Sequence, residues 1–464
     1  MSSLHLQGTN PVLDPRLTQA AQDASLPRSA LYPAPEHYTD AYTALHHLQV
    51  LQARRAGGGL RPLAVVLQVP FCRALCHHCS RTTLITHDGQ RIDRYLDWLE
   101  QEIALTAHHL AAPTPVVQLH VGGGTPSQLS TSQLARLLAA VHRHFAAASE
   151  LSPSLEANPR HLTPRRLDDW RRLGFGGLYV YLPDASPDVQ AALGRPPLRQ
   201  PPATGLTLAR QAGFRDIRVE LTVGLPRQHP TGLRQLVAAL IAAAPDVIRL
   251  TPYWHLPHRH PAQRRLATDA LGDSALLLAS ARAVLQEAGW RHLGLDRFAH
   301  PTSFLQRASA EGRLRLDCLD YQALPDTDRL GFGLGALSRL GSHHAQNWRQ
   351  LDDYANALDF GLLPVARGHV MSHDDRVRHA LMQALFCQGE VDFATLAEDH
   401  LIDFASYFRH EWRELQTLAQ RGWVWLENDG FGATAQGSLH LPHIAAVFDR
   451  HGRHARQLLE LDTP

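Results

Sequence analysis

From residue 62 onward the sequence alternates short β-rich runs with stretches of helical period, and this alternation constrains the fold more than any other feature. The β-rich runs are Leu63–Val69, Val116–Val121, Ser154–Ala157, Leu178–Leu182, Ile217–Val223 and Val247–Leu250. Between the first two, Ile92, Tyr95, Leu96, Leu99 and Ile103 recur at helical spacing, as do Leu134, Leu137, Leu138, Val141 and Phe145 after the second, so both segments are read as core-facing helices. Thr163-Pro164 and Gly174 frame another helix, with a hydroxyl placed to cap free N–H groups, a proline tolerated in the first turn and a glycine past the end. Repeated βα units close into a full or partial barrel around a parallel sheet, and ligands collect at the carboxyl ends of the strands, where the loops converge. An α/β fold with a partial (β/α) barrel over residues 62–364 is the expectation.

Past residue 365 the pattern changes to amphipathic helices such as Asp374–Leu385, followed by a hairpin in which Trp423–Leu426 turns at Asn428-Asp429-Gly430. This predicts a separate, mainly helical, winged-helix-like domain over 365–464, and residues 1–61 read as an irregular segment wrapping the barrel. A chain of 464 residues exceeds the roughly 250–300 residues that one core serves, so more than one domain is expected. The formal charge of +1 supplies no field that would gather nucleic acid or an anionic membrane. No lysine occurs anywhere in the chain, which excludes lysine Schiff-base chemistry. The run Leu236–Ala244 falls far short of the ~20 apolar residues that span a bilayer. The start, MSSLHLQGTNPVLDP, lacks the basic and apolar regions of a secretory signal, so a cytoplasmic protein is expected.

Chemistry is concentrated in VPFCRALCHHCS, where Cys72, Cys76 and Cys79 follow the first strand with the spacing C-x3-C-x2-C. Three thiolates on one loop can hold a four-iron cluster with one iron lacking a protein ligand, and an open coordination position is where a substrate or cosubstrate binds. A zinc site completed by His77 or His78 fits the same spacing. Buried inert thiols fit it poorly, because arginine and histidine interrupt the run. The second strand runs into Gly122-Gly123-Gly124-Thr125-Pro126, where glycines let backbone N–H groups approach a ligand closely. Glu156, at the end of the third strand in LEANPR, is placed to accept hydrogen bonds from a ribose or to act as a plain surface carboxylate. Cys318 and Cys387 lie in no metal-like spacing.

Cysteines after one strand and GGGTP after the next resemble the radical S-adenosylmethionine (SAM) superfamily. The order VPFC, LHVGGGTPSQL, LEANPRHLT, WRRLGFGGL and VELTVGLPRQ, with RSALYPAP near the start and GLDRFAHP and DTDRLGFGLGALS later, is similar to oxygen-independent coproporphyrinogen III oxidases. The resemblance covers nearly the whole chain. It implies a barrel of the radical SAM type, with the C-terminal domain covering the substrate. It also implies a [4Fe–4S] cluster on Cys72, Cys76 and Cys79, and SAM bound by Gly122, Gly123, Gly124, Thr125 and Glu156. Arg195 and Glu220 fall at the family's positions around a second SAM. The implied reaction removes hydrogen from two propionates of coproporphyrinogen III and releases carbon dioxide, leaving vinyl groups. The implied partners are a tetrapyrrole and an unidentified electron donor, with no nucleic acid, membrane insertion or second subunit expected.

Several positions depart from the family pattern. Val66 and Gln68 replace an aromatic residue and a histidine, His78 replaces an aromatic residue, and Ser80-Arg81 replaces Gly-Cys. Pro183 removes an amide, and Trp254 stands where alanine is usual. A tryptophan there takes up ligand volume, so an altered, filled second SAM site is expected. These departures keep open a haem- or porphyrin-binding protein, or an enzyme for another tetrapyrrole, on the same fold.

Overall fold

The structure, a computed structural model, describes residues 32–56, 61–110 and 115–452. All the β-rich runs are strands: β1 Leu63–Val69, β2 Pro115–Gly123, β3 Ser154–Ala157, β4 Gly177–Tyr181, β5 Asp216–Val223 and β6 Val247–Pro252. They lie side by side in chain order, every neighbouring pair parallel. β7, Asp328–Gly333, pairs in parallel with the other side of β1, placing Gln68 opposite Gly333. It continues into antiparallel β8 Leu337–Leu340, β9 His343–Asn347 and β10 Val365–Val370. Flanked on both sides, β1 buries every residue except Gln68, the near-continuous apolar run expected of a strand inside a parallel sheet.

The strands from β7 onward carry no clear strand pattern in the sequence. Gly331 and Gly333 in β7, with Gly335 just beyond, lower the β signal, yet close packing demands them. A Cβ on Gly333, at φ +101°, would lie 2.5 Å from both the Gln68 carbonyl and the Tyr95 hydroxyl.

The expected helices form at Gly89–His108, Thr131–His144 and Pro164–Arg172. Asp88 caps the first by accepting from Gln90 N–H, and Ser130 with Gln133 forms a reciprocal capping box on the second. Thr163 occupies the N-cap of the third, but its hydroxyl makes no capping hydrogen bond. Pro164 at the first position leaves one fewer N–H to satisfy, and Gly174 ends the helix at φ +95°.

Packing divides the chain into two units. One is Tyr38–Trp290 with Leu324–Val370; the other comprises the described parts of Met1–His37, Arg291–Ala323 and Met371–Pro464. These boundaries differ from those read from sequence, since 291–323 groups with the C-terminal residues. Of the N-terminal segment, residues 1–31 and 57–60 lie outside the described residues. The part beyond His37 is not irregular, because Ala44–Ala56 is a helix of the barrel unit.

Within the second unit, the helix expected over Asp374–Leu385 runs from His373 to Gln388. The expected hairpin pairs Val424–Leu426 with Gly430–Ala433, and Glu390–Asp392 adds a third strand. Phe393, Phe404, Phe431 and Phe448 form its aromatic core, Phe393 stacking on Phe404 at 3.8 Å between centroids. Among the described residues no helix is long and apolar enough to cross a membrane.

Near the end of β7, the helix Gly89–His108 delivers a buried carboxylate. Glu102 accepts hydrogen bonds from Gly333 N–H (2.8 Å), Asn347 Nδ2 and the Tyr354 hydroxyl (both 2.6 Å). Burial pushes its pKa up to about 7, against the opposing pull of those three donors. A carboxyl raised in the folded state binds more protons there than when unfolded, so its contribution to stability falls as pH rises from about 4.5 through about 7. Glu102→Gln turns an amide donor toward groups that are themselves donors. A loss of about 1–3 kcal/mol in urea unfolding is expected, and the stability difference, wild type minus variant, should shrink across that pH window.

Candidate active site

The cysteine loop leaves the carboxyl end of β1 and is stitched to the glycine turn at the end of β2. Gly124 N–H donates to the Val69 carbonyl and Thr125 N–H to the Phe71 carbonyl, each at 2.8 Å. The Cys72 Sγ lies 3.3 Å from Thr125 Oγ1. Gly123 sits at φ +116°, a left-handed conformation that favours glycine. A Cβ on Gly124 would approach the Phe71 and Pro70 carbonyl oxygens to 2.6 and 2.7 Å, contacts with backbone that no rotamer change relieves.

Cys72, Cys76 and Cys79 open onto one cavity of about 160 Å³, together with Gly124, Thr125, Arg195 and Glu220. The structure therefore gathers residues carried by four different strands and the loops beyond them, at the strand edge the βα pattern indicates. All three thiols are free of disulfides. Burial pushes Cys72 up to about 11 and also raises Cys79. Of the loop's two histidines, His78 Nε2 pairs with the Tyr181 hydroxyl at 2.9 Å, and His77 Nδ1 faces the Ala192 carbonyl at 3.3 Å. Burial first, then the Arg195 and Arg81 charges, lower His78 to about 3, so it is neutral.

Glu156 does not line the cavity openly. Its Oε2 accepts from Gly123 N–H at 3.0 Å, and its Oε1 is held by Arg81 in a short ion pair. The same Arg81 nitrogen donates to the Gly123 carbonyl at 2.9 Å, and the guanidinium lies over the Tyr181 ring, 4.9 Å from its centroid. Burial alone would lower the Arg81 pKa, but the Glu156 and Glu220 carboxylates overrule it and hold the charge firmly. Burial likewise raises Glu156, and Arg81 opposes that rise.

Arg195 and Glu220 share the cavity but are engaged separately. Arg195 Nη1 donates to Cys76 Sγ at 3.1 Å and Nε to Gln190 Oε1 at 3.1 Å. Glu220 Oε1 accepts from Thr251 Oγ1 at 2.9 Å, and its other oxygen lies 3.6 Å from Arg249. Trp254 lines the same cavity. Arg81, Tyr181 and Thr251 also line the cavity, and none of them stands among the site residues expected from sequence. For Arg81 a signal exists: it stands two residues past Cys79, where the family pattern has a thiol.

Comparison with known proteins places this geometry. Residues 66–240 match the radical SAM superfamily, which defines the class. The chain is 33% identical to the oxygen-independent coproporphyrinogen III oxidase of Pseudomonas aeruginosa over 434 residues, covering 92% of this chain and 94% of that one. It is 31% identical to the Escherichia coli oxidase, covering 92% and 93%. The solved structure of coproporphyrinogen III oxidase from Escherichia coli, described as a radical SAM enzyme, superposes with a TM-score of 0.87 at 30% identity, covering 96% of this chain and all of that one. This chain belongs to the oxygen-independent coproporphyrinogen III oxidase family.

Its cofactors are a [4Fe–4S] cluster and SAM. The residues present fit both: thiols free of disulfides on one loop suit iron, and Arg195, which lines the same cavity, has in Nη2 a buried donor with no partner.

Two substitutions test the architecture. Gly124→Ala must displace the backbone that carries Cys72, and iron per chain after anaerobic reconstitution should fall well below that of the wild type. Arg81→Ala leaves Glu156 without its cation. SAM affinity, measured by equilibrium dialysis, should fall about 10–100-fold, or ~1.4–2.8 kcal/mol, with iron content retained, and Arg81→Lys should recover part of the loss.

Proposed function

We propose that this chain converts coproporphyrinogen III to protoporphyrinogen by oxidative decarboxylation of two propionate side chains to vinyl groups. The observation that carries the reading is the gathering of three free thiols and the glycine turn around one cavity at the carboxyl ends of the barrel strands, with Glu156 bonded to that turn. Relatives matched along nearly their whole length are named for this activity.

In this reading Cys72, Cys76 and Cys79 hold the cluster, leaving one iron without a protein ligand. The backbone of Gly122–Thr125 and the Glu156 carboxylate hold SAM, the glycines by letting N–H groups approach and Glu156 by accepting hydrogen bonds. Arg81 opposes the upward pull of burial on Glu156 and holds the carboxylate in register with Gly123. When bound, cluster and SAM together supply one-electron chemistry that removes hydrogen from an unactivated carbon. The chain's task is to orient these groups and exclude water. Tyr181, Tyr253 and Trp254 wall the cavity with aromatic surface. Arg195 and Glu220 stand where a second SAM would lie, and Trp254 supports a single SAM at this cavity by occupying volume. In this reading the substrate is a tetrapyrrole and the electrons come from an external donor.

Anaerobic incubation of reconstituted protein with dithionite, SAM and coproporphyrinogen III should yield 5′-deoxyadenosine together with vinyl-bearing product. Cys72→Ala should abolish both. Deoxyadenosine formed without decarboxylation would redirect the reading to another substrate, and stoichiometric haem binding with no SAM cleavage would replace it with a binding role.

A further inference from the structure

Arg195 is 8% exposed, and its hydrogen bonds form an unusual set for a buried cation. Nη1 donates to the Cys76 sulfur (3.1 Å), Nε donates to Gln190 Oε1 (3.1 Å), and Nη2 has no partner. A second guanidinium, Arg160, donates through Nη2 to the same Gln190 oxygen, also at 3.1 Å, and its buried Nε has no partner either. Two cations thus converge on one neutral oxygen, and Gln190 is fully buried. Gln190 is itself fixed, since its amide donates to the Asp184 carbonyl. The Asp184 carboxylate is engaged elsewhere, with Ser186 N–H and Gln228 Nε2, both at 2.7 Å. Burial, then the neighbouring Arg195 charge, lowers Arg160 to about 10.

Burying charge without an opposite partner is costly. The one polarisable atom this pair addresses that can carry negative charge is the sulfur of Cys76. The reduction potential of an iron–sulfur cluster is set by net charge, hydrogen bonds to its sulfurs and solvent exposure, and this arrangement supplies the first two together. An N–H···S bond draws electron density from the thiolate. Fixed positive charge favours the reduced cluster, which carries one more negative charge than the oxidised one.

We infer that Arg195, backed by Arg160 across the shared Gln190 oxygen, raises the reduction potential of the cluster ligated by Cys76. Arg195 is a positioning and tuning residue that acts through the sulfur, and Arg160 supports it from behind through Gln190. This rests on the assignment of Cys72, Cys76 and Cys79 as cluster ligands.

The experiment is an anaerobic redox titration of the reconstituted full chain without SAM, followed by the EPR signal of the reduced cluster, for wild type, Arg195→Gln, Arg195→Lys and Arg160→Gln. Arg195→Gln should shift the reduction equilibrium at least tenfold toward the oxidised form, a midpoint lower by about 59 mV for one electron. Arg160→Gln should move it the same way by less, and Arg195→Lys, which keeps the charge, should fall between wild type and Arg195→Gln. Arg160 is not among the residues lining the cavity, so its variant decides the matter if Arg195→Gln assembles no cluster: a lowered midpoint supports the inference and an unchanged one overturns it. Midpoints unchanged in both glutamine variants, with a change in SAM affinity alone, overturn the inference while leaving the ligand assignment intact. A cluster that survives Cys76→Ala unchanged overturns both.

Discussion

Two backbone hydrogen bonds, from Gly124 N–H to the Val69 carbonyl and from Thr125 N–H to the Phe71 carbonyl, join the cysteine loop to the glycine turn, and the rest of the site depends on them. They form because β1 and β2 are parallel neighbours whose carboxyl ends finish level, Val69 opposite Gly123. They also require glycine, since any Cβ at residue 124 would meet the carbonyls of Pro70 and Phe71. The cysteine loop and the glycine turn, which follow different strands in the sequence, are thereby held side by side.

Around that seam the site is organised by arginine. Arg81 ties the cysteine loop to Glu156 and to the glycine turn in one stroke, while its flat face rests on Tyr181. Arg195 reaches the loop from a different strand end, at Cys76. A guanidinium suits both places because it keeps its charge when buried and directs several N–H donors in a fixed plane. Both cations stand beside the cysteine loop, Arg81 two residues past Cys79 and Arg195 at the Cys76 sulfur.

Much of this is legible in the order of residues. The strands β1 to β6 show themselves because buried parallel strands are short apolar runs set off by helical periods. The three cysteines do so because clustered thiols in a cysteine-poor chain have few bland explanations. β7 does not, since Gly331 and Gly333 suppress the very signal by which strands are recognised, and the need for Gly333 lies in distant groups, the Gln68 carbonyl and the Tyr95 hydroxyl. Thr163 has the look of a capping residue and takes the N-cap position, yet its hydroxyl makes no capping hydrogen bond. The grouping of 291–323 with the C-terminal unit likewise depends on contacts that carry no periodic mark.

By itself, then, the sequence determined the parallel barrel, the thiol trio and the glycine turn, all of which rest on local pattern: periodicity, spacing and the conformational range of glycine. Only the tertiary structure decided that Arg81 meets Glu156 and that Arg195 meets Cys76. Those pairings join residues 75 and 119 positions apart. Coulombic attraction and donor geometry act through space, and nothing in the order of residues along the chain records which charges the fold will bring together.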